Sequence, residues 1–119
     1  MPGCMLRASG PAFEPSAFLT RYAIPGASSR GSGLTVLVSE RDGDDLAGQT
    51  RDALAFLAAN AVALRGLVGF SGVEAVVLDF AVWRKDVASQ SLRFPPELVS
   101  QAGALGVGLE VSVYAAADS

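Results

Sequence analysis

Between Leu46 and Val68 the residues Leu46, Ala53, Leu54, Leu57, Ala61, Leu64 and Val68 recur at spacings of three and four, which places them on one stripe of an α-helix. No other segment keeps a period for so long, and it constrains the fold, because a helix with one apolar stripe needs a second apolar layer to cover it. The spacing predicts a single helix over residues 46–68. Asp44 or Asp45 caps its first amides and favours the positive end of its dipole. Gly69 is expected to stop it in a left-handed conformation.

The covering layer is legible in segments that alternate with a period of two. CMLRAS, residues 4–9, sets Cys4, Leu6 and Ala8 against Met5, Arg7 and Ser9. EAVVLDFAVW, residues 74–83, sets Val76, Leu78, Phe80 and Val82 against Val77, Asp79, Ala81 and Trp83. VGLEVSVYA, residues 107–115, sets Val107, Leu109, Val111 and Val113 against Gly108, Glu110, Ser112 and Tyr114. LTVLVS, residues 34–39, is β-branched and apolar enough to be a further strand.

Pro15 opens a short helix that turns Phe18 and Leu19 inward. In FPPELVSQAGALG, residues 94–106, the prolines set the first turn of another helix. Leu98, Ala102 and Leu105 form its inner stripe and Gly106 ends it. GASSRGSG, residues 26–33, has too little apolar surface to bury and is expected to be a flexible loop. It lacks the glycine spacing and the flanking strand and helix of a phosphate-binding loop.

Together these elements describe one α+β domain over residues 1–119, a two-layer sandwich of the split βαβ type. A mixed sheet of about four strands carries its helices on one face. The expected core comprises Leu57, Leu64, Leu78, Phe80, Leu98, Leu109 and Val111. A chain of 119 residues with 50% hydrophobic and 18% charged residues is long and apolar enough to close one core.

Nine basic residues against twelve acidic ones give a net charge of −3, a field that repels phosphate backbones, so nucleic acid is not an expected partner. The densest basic group is Arg84-Lys85, and Asp86 follows it directly. Neither a signal peptide nor a membrane span is apparent, and with Cys4 the only cysteine no intrachain disulfide can form, so a cytoplasmic protein is expected.

The chain contains no histidine, which removes the usual base at neutral pH, the usual partner of a nucleophilic serine or cysteine, and the commonest zinc ligand. No catalytic residue, metal or cofactor is expected. The Asp-rich stretch ERDGDD, residues 40–45, misses the order of a calcium loop and reads as a turn followed by a helix cap.

Two surfaces remain as candidates for recognition. The first is the open sheet face, where Arg7, Asp79, Trp83, Glu110 and Tyr114 share one strand phase. Trp, Tyr and Arg anchor interfaces more often than other residues do, although Trp83 could equally end its strand and fold back over the sheet edge. Asp79 and Glu110, were they adjacent, have the composition of an acid–base pair. The second is the outward face of the long helix, where Ala55, Ala59, Val62 and Gly66 leave a smooth surface suited to a two-fold dimer. Alanine is also the best helix former and stays soluble when exposed. Asn60 is expected to satisfy a buried hydrogen bond on this helix.

The segments ALAFLAAN, GVEAVVLDF and VASQSLRFPPELVSQAGALGVGLEVSVYA resemble a group of small uncharacterised bacterial proteins related in layout to a larger domain of unknown function. The resemblance covers the last three-fifths of the chain, with FPPEL followed by LGVGLEVSVY as its best marker. It implies an α+β sandwich and an immunity-type or accessory role. The expectation is therefore a non-enzymatic domain that binds a protein partner or itself. The alternative is a small-molecule sensor or small enzyme with a pocket over the open sheet face, in which Asp79 and Glu110 are the polar groups.

Overall fold

A computed structural model describes residues 3–115. Its elements follow in the order β1 (Cys4–Ser9), α1 (Pro15–Leu19), β2 (Ala27–Arg30), β3 (Gly33–Ser39), α2 (Leu46–Ala59), α3 (Ala61–Val68), β4 (Ala75–Trp83), α4 (Pro96–Leu105) and β5 (Gly108–Tyr114). The strands form one mixed sheet in the order β2-β3-β1-β4-β5. β1 runs antiparallel to both of its neighbours, and β4 and β5 are parallel. The helical connection from β3 to β4 therefore passes over β1, the split βαβ arrangement, and α4 supplies the crossover from β4 to β5.

Alternation explains the core. Cys4, Leu6, Leu34, Val36, Leu78 and Phe80 point from the sheet toward Leu57, Leu64, Leu67 and Leu98 of the helices, and all are buried. Asp45 caps α2, accepting a hydrogen bond from the Gly48 amide at 2.9 Å. Gly106 ends α4 at φ +82°, a left-handed conformation that favours glycine. Among the described residues no helix is long and apolar enough to cross a membrane.

The structure corrects four expectations. The sheet has five strands, because most of the segment 26–33 is not a loop: Ala27–Arg30 pairs with Gly33–Leu34–Thr35–Val36 as a hairpin. Only Ala27 is partly buried and its phase partner Ser29 is polar, so composition gave no hydrophobic signal. The hairpin exists because β3 offers a ready edge and Gly31, at φ +58°, closes a two-residue turn.

The expected single helix over 46–68 is broken at Asn60, whose backbone leaves helical geometry at φ −119° and ψ 22°. Asn60 is half-buried, and both its amide N–H and its side-chain Nδ2 donate to the Phe56 carbonyl at 3.0 Å, so the side chain competes for the backbone acceptor. The Asn60 carbonyl then accepts from Leu64 and starts α3.

Gly69 ends α3 at φ −92°, not in the left-handed region, because Gly69 N–H still reaches the Arg65 carbonyl. Finally, Leu109 and Val111 are only half-buried, since β5 is an edge strand that the helices cover incompletely.

Candidate functional site on the open sheet face

The in-register pairing of β4 with β5 sets Asp79 beside Glu110 and Trp83 beside Tyr114. β1 lies on the other side of β4, with Met5 opposite Asp79 and Arg7 opposite Val77. Asp79 and Glu110 are thus adjacent, and the Arg7 guanidinium joins them: its Nη2 lies 2.7 Å from Asp79 Oδ2 and 2.7 Å from Glu110 Oε1. Ser112, one strand repeat beyond Glu110, donates its hydroxyl to Asp79 Oδ1 at 2.7 Å.

Asp79 is only 5% exposed, and each of its carboxylate oxygens has a partner, which is the condition under which a buried carboxylate is tolerated. Burial pulls the Arg7 guanidinium down, but the Asp79 and Glu110 carboxylates outweigh it and hold it above its ordinary value. An acid–base pair needs one carboxyl free to exchange a proton with a substrate. Here the buried member is fully engaged with Arg7 and Ser112, and the exposed member is tied to the same guanidinium.

Trp83 and Tyr114 stand four residues further along the same strands, about 13 Å from the Asp79–Glu110 row at the strand rise of about 3.3 Å per residue. Trp83 is engaged with the connection into α2. Its indole N–H donates to Asp42 Oδ1 at 3.1 Å, its amide donates to the Gly43 carbonyl, and a Cβ on Gly43 would fall 2.9 Å from its ring. The Gly43 amide and the Trp83 indole hold the Asp42 carboxyl below the ordinary carboxylate value. Tyr114 remains exposed, with its carbonyl accepting from the Arg84 amide. The five residues therefore form two groups on one face, an ion network and a strand-end aromatic pair.

The second candidate surface is less continuous. Ala55 and Ala59 are exposed on α2 and Val62 is 74% exposed on α3, with the break at Asn60 between them. Gly66 does not belong to that face, because the Tyr22 ring covers it. A Cβ there would lie 2.3 Å from Tyr22 Cζ. Tyr22 is stacked on Phe18, centroids 5.0 Å apart, with Arg21 over its ring.

Residues that the sequence reading missed include Ser112, Tyr22 and Gln49. Gln49 is fully buried, and its Nε2 donates to the carbonyls of Asp42 and Ala81 at 2.9 Å, tying α2 to the end of β4. Its place between Leu46 and Ala53 on the inner stripe was the available signal. Cys4 is buried, and desolvation, reinforced by Asp79 and Asp52, pushes its thiol up to about 12. Among the described residues no three His, Cys, Asp or Glu side chains converge in a manner that could hold a metal ion.

Comparisons with protein-family models, with curated proteins and with solved structures find no match to this chain.

Proposed function

We propose that the chain is a non-enzymatic, cytoplasmic binding domain that engages a protein partner through the open sheet face, in the immunity-type or accessory role that its C-terminal resemblance implies. The observation that supports this reading is the pre-assembled Arg7–Asp79–Glu110–Ser112 network beside an exposed tyrosine. Side chains already held in place lose little freedom when a partner docks, and Arg, Trp and Tyr are the residues that most often anchor such contacts. The test is affinity capture from host lysate with wild type and Tyr114→Asp in parallel. A protein retained by the wild type and lost from the variant is the expected result; equal retention by both removes the assignment to this face.

A second reading, a small-molecule sensor or enzyme, has one observation in its favour. A depression of about 380 Å³ opens beside the network, lined in part by Arg7, Thr35, Val77 and Glu110. A metabolite that raises the melting temperature of the wild type but not of Glu110→Gln would replace the protein-partner reading with this one.

A further inference from the structure

β5 is an edge of the sheet, seven residues long, with the sequence GLEVSVY. Edge strands are usually blunted by lysine, proline, bulges or brevity. The opposite edge follows that rule, since β2 is four residues long, polar and ends in Arg30. β5 has none of these devices, and its one charge, Glu110, is already bound to Arg7.

Backbone directions on this edge follow from a single bond. The Tyr114 carbonyl accepts from Arg84, at the end of β4, so it points inward. Because strand residues alternate, Gly108, Glu110 and Ser112 also turn their amides and carbonyls toward β4, while Leu109, Val111 and Val113 turn theirs outward. The side chains of these three lie on the helix-side face, in register with Leu78, Phe80 and Val82, and Val113 is 53% exposed.

The geometry points to a two-fold dimer in which β5 pairs antiparallel with β5 of a second copy, with Val111 on the axis. That register is self-complementary. Val111 meets its own mate and Leu109 meets Val113, each as a pair that exchanges both backbone hydrogen bonds, so every outward amide and carbonyl of these residues is satisfied. On the helix side the join is aliphatic throughout. On the open face Glu110 falls beside Ser112 of the second copy, and the two Glu110 side chains are held diagonally, about 7–8 Å apart. Tyr114 falls beside Gly108, which leaves space for the ring. The result is one continuous sheet, with both sets of helices on the same side. This inference goes beyond the binding function proposed above, which uses the sheet face and not its edge.

Sedimentation equilibrium or light scattering over a concentration series tests it, with hydrogen exchange read amide by amide. The expected wild type is a dimer in which the Leu109, Val111 and Val113 amides are protected, as those of Glu110 and Ser112 are in either state. Val111→Pro removes an outward amide that the β4 ladder does not use, so it should give a folded monomer. Val113→Lys, at a side chain already half exposed, should do the same by setting a charge against Leu109 of the second copy, and it serves if the proline variant fails to fold. Loss of the dimer in Val113→Lys, and in Val111→Pro where that variant folds, supports the proposal. A wild type that stays monomeric at millimolar concentration overturns it. So does a dimer that survives Val113→Lys, or one that Ala59→Glu splits, which would place the contact on α2.

Discussion

Arg7→Met tests whether the ion network is a structural unit. The methionine keeps the aliphatic stem and removes the guanidinium, leaving Asp79, at 5% exposure, with Ser112 as its single partner. Removing one partner of a fully buried pair costs about 3–5 kcal/mol. Arg7 and Glu110, with side chains 43% and 50% exposed, sit where water screens the interaction, so the Glu110 contact adds at most about 1 kcal/mol. The burden falls on Asp79, and the loss should be about 1–3 kcal/mol, the cost of one buried group left without its partner. With a urea m-value of about 1–3 kcal/mol/M for a small domain, that is a fall of about 1 M in the unfolding midpoint.

The decisive comparison is Arg7→Met/Asp79→Asn. The asparagine keeps an oxygen for the Ser112 hydroxyl and removes the charge that Arg7 balanced, so the double variant should recover most of the loss. Urea unfolding followed by circular dichroism at neutral pH measures both. A single variant within about 0.5 kcal/mol of wild type, the scale of an ordinary surface substitution, would show that the network stabilises nothing. A double variant less stable than Arg7→Met would show that the damage lies in packing and not in an unpaired charge.

Phe80→Ala, at a fully buried side chain packed on Phe94, should cost about 3–5 kcal/mol in the same unfolding assay. Gly66→Ala should lower the melting temperature because its Cβ would overlap the Tyr22 ring, and Tyr22→Ala in the same chain should restore the loss caused by the overlap. The Cys4 thiol, buried and pushed up to about 12, should react with a thiol reagent at pH 8 only as fast as the protein opens, and rapidly in urea. The Asp42 carboxyl is held below its ordinary value of 3.8 by Gly43 and Trp83, so its contribution to stability is fully present above that value and is lost as pH falls through the lower folded value. Trp83 fluorescence should therefore be flat from pH 7 to pH 5 and change in the acid limb, and Asp42→Asn should abolish that acid step.

Elements with a one-phase pattern were legible from the chain alone. β1 and α4 carry their buried apolar residues in a single period, and Asp45 and Gly106 mark helix ends with chemistry that acts locally. β2 was not legible because its stability comes from β3. ASSR has no apolar phase of its own, and it becomes a strand through pairing supplied by a neighbour. The break at Asn60 was hidden for a different reason. The buried stripe keeps its phase across it, from Ala53 and Leu57 to Leu64 and Leu67, so periodicity passes over a change made by one side chain bonding to Phe56.

The candidate site shows the same boundary between local and topological information. Strand phase is local, and it was enough to place Arg7, Asp79 and Glu110 on one face. Asp79 and Glu110 become neighbours through the parallel β4–β5 pairing, and Arg7 joins them because β1 enters the sheet between β3 and β4, an order which no short segment encodes. That order changes the chemistry. Without Arg7 beside β4, Asp79 and Glu110 would be two neighbouring carboxylates on parallel strands with no cation joining them. With β1 in place, Arg7 lies in the same row as Val77 and Gly108, one strand repeat from the Asp79–Glu110 row that its guanidinium reaches. The crossover that inserts β1 thus turns two neighbouring carboxylates into an ion network joined by one guanidinium.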